Sequence, residues 1–441
     1  MNIMIAGAGT VGYSLAQTLS YKHNVIVIDK NSDKLNQLEE EIDVLVLYGD
    51  SENPKTYQAL ELKNIDLFIA VTDSDEANLL STLMVEDVLE VKRKIIRLKN
   101  DSFLKSHILE KLSIDYAVFP DITTANKVRG LFTFPKANNV KTFHQTKYKL
   151  ISIRLHNSFE RDYSIGMLSS DNVRIVGIER NKDFLIPTED EILLEGDLVY
   201  FFGDAKVIDK TLDTLDDSMP RSIKKVVIFG ANTLAQKIAK VLLDKQLDIK
   251  MIDKNKEHCK KASEFLQGKV TIINTTHDDQ QLFKEESLDK ADMLIAAGHN
   301  DETNIVKCIE AKELGIKKVV SINNEKSYYP LMHRMGVVVV RGSKAGAHYA
   351  ILEKIASSSI VTQRHYCGGK GILFMRKVYS DSVLIGKSIK KTLDEDTLHF
   401  LLRDGKLFFS LDRYQLKQGD IIVIFGKIEM IEKMQQWIYT L

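Results

Sequence analysis

The feature that most constrains this fold is a repeat. "IMIAGAGTVG" (Ile3 to Gly12) and "VVIFGANTLA" (Val226 to Ala235) each run from an apolar strand into a glycine turn and a helix. Sliding the chain along itself by about 223 to 226 residues brings these stretches together, and much else with them. Gly7 then meets Gly230, Asp29 in "VIVIDK" meets Asp253 in "IKMIDK", and Asn78 meets Asn304. Further on, Glu195-Gly196-Asp197 meets Gln418-Gly419-Asp420. The chain is two copies of one unit, each about half its length.

In the first copy, apolar runs at Ile3–Ala6, Val25–Ile28, Val44–Leu47 and Leu67–Val71 alternate with helical stretches from about Val11 and through Leu35. A helix from about Asn78, a strand at Lys94–Leu98, a helix near Ser102–Leu112 and a strand at Tyr116–Phe119 follow. Such βαβ alternation predicts a doubly wound parallel sheet of about six strands, a Rossmann-type domain. From about Lys147 the texture changes to short alternating runs, "KLISIRL", "VRIVGIER", "DFLIP" and "DLVYFFG", which predict a small, mainly β module. The second copy repeats it at "GILFMRKV", "LHFLLRDGKLFFS" and "YQLKQGDIIVIFGK", and a linker is expected from about Asp213 to Ser222. Dividing 441 residues by roughly 150 per domain suggests about three domains; the repeat makes four.

Charge excludes some partners. Lys plus Arg equals Asp plus Glu at 61 each, so no long-range field draws the molecule to nucleic acid or an anionic bilayer. Cys259, Cys308 and Cys367 are odd in number and lack metal-ligand spacing, which argues for reduced thiols in the cytosol and against a zinc site. No apolar run approaches the roughly 18 to 20 residues needed to cross a bilayer, and no signal region opens the chain.

Gly7, Gly9 and Gly12 fit G-x-G-x-x-G between a strand and a helix, the context that gives the pattern meaning. Gly7 allows the tight turn, Gly9 lets the backbone approach a pyrophosphate at the helix N-terminus, and Gly12 permits close packing of helix on strand. Asp29 ends the next strand, where a carboxylate accepts hydrogen bonds from ribose hydroxyls and repels a 2′-phosphate, with Lys30 beside it. Gly49-Asp50-Ser51 and Thr72-Asp73 follow the third and fourth strands, at the carboxyl edge where ligands of this fold bind. Asp73-x-x-Glu76 also fits a helix-capping box, and both readings of Asp73 stand. Arg97, in the apolar "IIRLKN", requires either an anionic partner or an escape to solvent at the strand end.

The second copy differs at nearly every one of these points. Gly9 becomes Asn232, Gly12 becomes Ala235, Gly49-Asp50 becomes Thr275-Thr276, Thr72 becomes Gly298 and Arg97 is matched to Ser321, while Asp253 survives. A side chain at the second glycine intrudes where backbone must meet pyrophosphate, so dinucleotide binding is expected in the first copy, with the second kept for assembly.

A Rossmann domain followed by a small β-rich module, the pair in tandem, resembles the TrkA family of potassium-uptake proteins, whose halves are regulator-of-potassium-conductance (RCK) units. "MNIMIAGAGTVGYSLAQTLS", "VIVIDKN", "VLYGDSENP", "LFIAVTDSDEANLLSTLMV" and "EGDLVYFFGD" carry the resemblance, which covers nearly the whole chain. It implies an α/β fold of two tandem Rossmann-type doubly wound parallel sheets, each followed by a small α+β (RCK C-terminal, TrkA-C) domain. The corresponding divisions are 1–135, 136–215, 223–360 and 361–441. The resemblance also implies NAD(H), or ATP or ADP at the same site, held by Gly7, Ala8, Gly9, Thr10, Val11, Gly12, Asp29, Lys30, Asp50, Thr72, Asp73 and Arg97. A homotetramer on the cytoplasmic face of the inner membrane, gating a TrkH- or TrkG-type potassium-translocating subunit, is implied as well. The helices "TTANKVRGLFTF" and "KAGAHYAILEKI" either pack across subunits or cover their own sheets.

Two rival functions are open to this fold. An NAD-dependent dehydrogenase needs a proton-transfer group near the nicotinamide, usually in a substantial second domain. Here only about 70 to 80 residues follow each Rossmann domain, and His144 and His156 are isolated, so no enzyme is expected. A structural adaptor with two vestigial sites is the other rival, and the intact first glycines argue against it.

Overall fold

The computed structural model describes residues 1–441 except 61–62, 144–145, 156–162, 216–218, 221, 276–279, 357–360, 390–395 and 410. His144 and His156 therefore lie outside the described residues. The first sheet contains β1 (Asn2–Ala6), β2 (Asn24–Asp29), β3 (Leu45–Tyr48), β4 (Leu67–Ala70), β5 (Lys94–Arg97) and β6 (Tyr116–Val118), in the order β3-β2-β1-β4-β5-β6. All neighbours are parallel. Ile3, Met4, Ile5, Phe68 and Ile69 have no solvent exposure, because a parallel sheet covered on both faces needs apolar residues at consecutive positions. The order reverses beside β1, and the loops there open a crevice at the carboxyl ends of the strands.

Helices α1 (Thr10–Leu19), α2 (Ser32–Glu41) and α3 (Asp75–Val88) flank this sheet, and α4 (Pro120–Thr133) follows it. Helix α3 begins before the expected Asn78 because Ser74 caps it, its side chain accepting from Ala77 N at 3.1 Å. The helix expected over Ser102–Leu112 is broken into a 3₁₀ turn, Asp101–Lys105, and a short helix, Ile108–Lys111. Ser106 Oγ accepts from Ile108 N at 3.1 Å, a side-chain bond that competes with a continuous helix.

The first small module holds β7 (Asn139–Phe143), β8 (Thr146–Arg154), β9 (Val173–Arg180), β10 (Asp183–Leu185) and β11 (Leu198–Gly203), followed by α5 (Ala205–Leu215). Because α5 runs through Leu215 and buries Leu212 and Leu215, the linker begins later than Asp213. The second Rossmann sheet contains β12 (Lys225–Phe229), β13 (Asp248–Asp253), β14 (Thr271–Asn274), β15 (Met293–Ala296), β16 (Lys318–Asn323) and β17 (Val338–Arg341). Its order, β14-β13-β12-β15-β16-β17, repeats the first. Helices α6 (Thr233–Leu242), α7 (Lys256–Leu266), α8 (Asp301–Glu313), α9 (Tyr329–Arg334) and α10 (Ser343–Ala356) belong to this stretch of chain. The second small module, β18 (Val361–Tyr366), β19 (Gly371–Lys377), β20 (Thr397–Arg403), β21 (Lys406–Phe408) and β22 (Ile421–Lys427), closes on α11 (Ile431–Thr440). Both small sheets are antiparallel with the same topology, β10-β9-β11-β8-β7 and β21-β20-β22-β19-β18.

The chain forms two compact units, Met1–Thr124 with Arg341–Lys354, and Ala125–Val340 with Ile355–Leu441. The crossover helices do not cover their own sheets, since each packs on the sheet of the other copy within one chain. In the first unit, Thr124 Oγ1 donates to Arg341 O at 3.1 Å and Arg93 Nη2 donates to Lys354 O at 3.3 Å. In the second unit, Ala125, Val128 and Leu131 of α4 join the core of Ile228, Ile238 and Val340.

Also within the second unit, the small sheets share one core in which Tyr148, Phe202, Tyr366, Phe400 and Phe425 pack edge to face. Tyr366 donates its hydroxyl to Val176 O at 2.9 Å, and neighbouring Cys367 is a buried free thiol pushed up to about 12 by desolvation. The repeated Gly-Asp pair is explained as an exposed turn followed by a buried aspartate. Gly196 and Gly419 adopt φ of 81° and 89°, and each following aspartate is gripped by an arginine from a neighbouring strand. Arg180 Nε and Nη2 reach Asp197 at 3.0 and 2.9 Å, and Arg403 reaches Asp420 at 2.8 and 2.7 Å.

One histidine in this unit makes stability depend on pH. His333 of α9 is held down to about 4 by burial and by Arg154, whose Nη2 lies 3.4 Å from its Nδ1. Its folded value lies below the unfolded one, so the unfolded chain binds more protons between about pH 6.5 and 4 and stability falls as pH falls through that window. Urea midpoints across it should drop less steeply for His333→Gln than for wild type.

Candidate functional site

The crevice of the first sheet is a cleft of about 830 Å³, lined by Gly7, Ala8, Gly9, Thr10 and Val11, by Asp29 and Lys30, and by Asp50, Thr72, Asp73 and Arg97. These loops are far apart in sequence and are brought together by the strand ends of β1, β2, β3, β4 and β5. Of the residues singled out in the sequence, Gly12 alone does not line it. Gly12 packs beneath, where an added Cβ would fall 1.8 Å from Gly7 O, so it serves the approach of α1 to β1. Gly7 takes φ of 108°, a left-handed value that other residues resist.

Gly9 is different. Its φ of −71° suits any residue and a Cβ there meets nothing within 4 Å, so nothing in the fold itself requires glycine. As N-cap of α1 it provides no side-chain hydrogen bond, leaving first-turn N–H groups directed into the cleft. Such an end suits an anion.

Asp29 holds the turn together. Its Oδ2 accepts from Ala8 N at 2.6 Å and its Oδ1 from Asn31 N at 2.9 Å, and each oxygen retains a lone pair for a ligand hydroxyl. Asp50 accepts from Glu52 N at 3.0 Å. Thr72 is fixed by Asn78, which is 1 % exposed: Asn78 Oδ1 accepts from Thr72 N and Oγ1, both at 2.8 Å, and Nδ2 donates to Thr72 O and Arg97 O. Asn78 thus clamps the ends of β4 and β5 together. Asp73 is not the cap of α3, a place Ser74 takes. It faces solvent and pairs at 3.5 Å with both Arg97 and Lys99. Arg97 is 7 % exposed, so it does not escape to solvent, and among the described residues its Nε has no hydrogen-bond partner.

Tyr13, Lys34, Gln37 and Lys344 also line the cleft and were not picked out in the sequence. Lys34 lies in the first turn of α2, just after the strand that ends in Asp29, a place that could have flagged it. Tyr13 donates to Glu41, which raises the phenol above its ordinary value and lowers the carboxyl. Lys344 belongs to the other copy and carried no local signal.

The second copy preserves the scaffold and fills the entrance. Asp253 accepts from Ala231 N at 2.7 Å and Asn255 N at 2.8 Å, and Asn304 clamps Gly298 and Ile322 as Asn78 clamps Thr72 and Arg97. That correspondence corrects the match of Arg97 to Ser321: the counterpart is Ile322, one residue on, which removes the guanidinium and leaves an apolar side chain. Asn232 caps α6, its Oδ1 accepting from Ala235 N at 3.0 Å while Nδ2 donates to Ala297 O at 2.7 Å. The N–H that no cap side chain meets at α1 is thus occupied here. His258, at the position of Lys34, lies 3.3 Å from Asp253 and beside His299, the rings tilted with centroids 5.4 Å apart. Thr276 lies outside the described residues.

With this geometry in hand, comparison with known proteins is informative. The TrkA-N domain family matches residues 3–120 and 226–341, and the TrkA-C domain family matches 164–216. The chain belongs to the TrkA family. It is 28% identical to the Trk system potassium uptake protein TrkA homolog of Archaeoglobus fulgidus, covering 99% of each chain. TrkA of Vibrio alginolyticus is 24% identical over 96% of this chain and 95% of that protein. Among solved structures, the GsuK RCK domain is 17% identical with a TM-score of 0.62, covering 100% of this chain and 95% of that one. The GsuK channel bound to NAD is 17% identical with a TM-score of 0.63, over 100% and 79% respectively. These likenesses establish a shared RCK-type fold for this TrkA-family chain. Among its described residues, no helix is long and apolar enough to cross a membrane.

Proposed function

We propose that this TrkA-family chain is the nucleotide-sensing regulatory subunit of a Trk-type potassium uptake system. It binds NAD(H), or ATP or ADP in the same cleft, in its first Rossmann domain and controls a TrkH- or TrkG-type membrane subunit. The observation that carries this reading is the contrast at one position. Gly9 leaves the N-terminus of α1 uncapped and open, whereas Asn232 occupies the same place in the second copy. Its curated relatives are Trk system potassium uptake proteins along nearly their full length, and the GsuK channel, of like fold, was solved with NAD.

In this reading, α1 and the Gly7–Gly12 turn take the phosphates, Asp29 takes the ribose, Asp50 and Thr72 border the nucleoside, Asp73 lies at the rim, and Arg97, which pairs with Asp73, meets the far phosphate. The chain divides at 1–135, 136–215, 223–360 and 361–441 and works as a homotetramer on the cytoplasmic face of the inner membrane. A ligand shifts such a ring only by its differential affinity for the two states, typically about 1 to 3 kcal/mol of coupling per site. The role is regulatory rather than catalytic. The curated relatives that match it along nearly the whole chain are potassium uptake proteins.

Calorimetric titration of nucleotide-stripped protein with NADH and, separately, ATP tests the reading. One site per chain is expected. Two sites would overturn the argument from Asn232, and binding of neither nucleotide would leave the structural adaptor. NADPH should bind at least about tenfold more weakly than NADH, because its 2′-phosphate would face Asp29, and Asp29→Asn should narrow that gap in competition titrations. Equal affinity for the two in wild type would remove Asp29 from the ribose.

A further inference from the structure

One cation in the cleft comes from the far end of the sequence. Lys344, the second residue of α10, lines it together with residues of the first copy. Within that unit α10 is anchored along its length. Ser343 Oγ donates to Asp121, His348 Nε2 lies 3.2 Å from Thr18 Oγ1, and Lys354 Nζ lies 4.0 Å from the Tyr116 ring centroid. Thr18 belongs to α1, the helix whose N-terminus opens on the cleft. Asp121 and Tyr116 lie beyond β5, on the β6 edge of the sheet.

The sheet order then places the charges. Asp29 ends β2 and Arg97 ends β5, three strand spacings or about 14 Å apart. Ser343, next to Lys344, is bound to Asp121 beyond β6, so α10 starts on the Arg97 side of the cleft and not on the Asp29 side. An adenosine held by Asp29 does not span that distance, whereas its attached phosphates extend toward it. A lysine ammonium is a compact donor suited to a phosphate oxygen.

We propose that Lys344 reads the phosphates of the nucleotide bound in the first copy, so the second copy completes the site it has lost for itself. This rests on the nucleotide-binding reading above. Ligands of one nucleoside that differ in phosphate content are distinguished through α10, and the second copy takes part in sensing as well as in assembly.

The test uses the full, nucleotide-stripped chain, titrated calorimetrically with ADP, ATP and adenosine, for wild type, Lys344→Met and Lys344→Arg. Lys344→Met should bind ADP and ATP about tenfold more weakly, a change of about 1.4 kcal/mol, with adenosine affinity within about twofold of wild type. Lys344→Arg should recover most of the loss, and the melting temperature should hold in both variants. If Lys344→Met binds ADP and ATP as wild type does, Lys344 is outside the site and the nucleotide reading survives without it. An equal loss for adenosine would show action through the fold and overturn the proposal. Failure of wild type to bind ADP or ATP would remove the nucleotide reading itself.

Discussion

Gly9→Asp should abolish nucleotide binding, by at least about a hundredfold or about 2.7 kcal/mol, without lowering the melting temperature. The two halves of that expectation come from one position. A Cβ at residue 9 meets nothing within 4 Å, and the backbone there is accessible to any residue, so the folded protein accepts the change. The new carboxylate would accept from the first turn of α1, as Asn232 does in α6, and an N-cap of this type stabilises a helix by about 0.5–2 kcal/mol. It would also place a negative charge where a pyrophosphate must lie. Two unit charges 4 Å apart repel by about 4 kcal/mol at an effective dielectric of about 20, which exceeds the loss required. Calorimetry beside thermal melting checks both halves, and retained affinity would show that no phosphate lies at α1.

Asp197→Ala should destabilise the second unit by about 3–5 kcal/mol, read as a shift in the urea midpoint. Asp197 has no solvent exposure and accepts from Arg180 through Nε and Nη2 as well as from Leu194 N at 2.9 Å. Removing it leaves the Arg180 charge half-buried and the turn N–H unpaired, and the cost follows from those orphaned groups more than from the pair itself. Arg180 retains Glu191 at 2.6 Å, so a loss below about 1 kcal/mol would mean that this second carboxylate suffices. Asp420 and Arg403 repeat the arrangement, and Asp420→Ala should behave alike.

Much of the site was readable before folding was considered. Gly7, Gly9, Gly12 and Asp29 lie within two adjacent strand-turn-helix units, where spacing reports backbone geometry directly. Arg97 was marked by being charged in an apolar run, and it is buried on the cleft. Asp73 was ambiguous because a carboxylate before a helix serves as cap or as partner; the hydroxyl of Ser74, one residue nearer the helix, settled the cap. The pairing of Arg97 with Ser321 slipped by one residue because β5 and β16 lack a shared marker in sequence. The equivalent bonds from Asn78 and Asn304 restore the register.

What the sequence by itself determined is local in origin: two copies of a parallel sheet, from the period of apolar runs and the glycine turns between them, and one open and one obstructed helix end, from Gly9 and Asn232. What tertiary structure alone decided is which sheet each crossover helix covers, and therefore that Lys344 reaches the first copy's cleft. The apolar residues of α4 and α10 record that each must be buried, but a helix of such composition fits either of two homologous sheets equally well. The choice between them depends on contacts such as Thr124 with Arg341 and His348 with Thr18, whose residues lie more than 200 positions apart and leave no periodic trace.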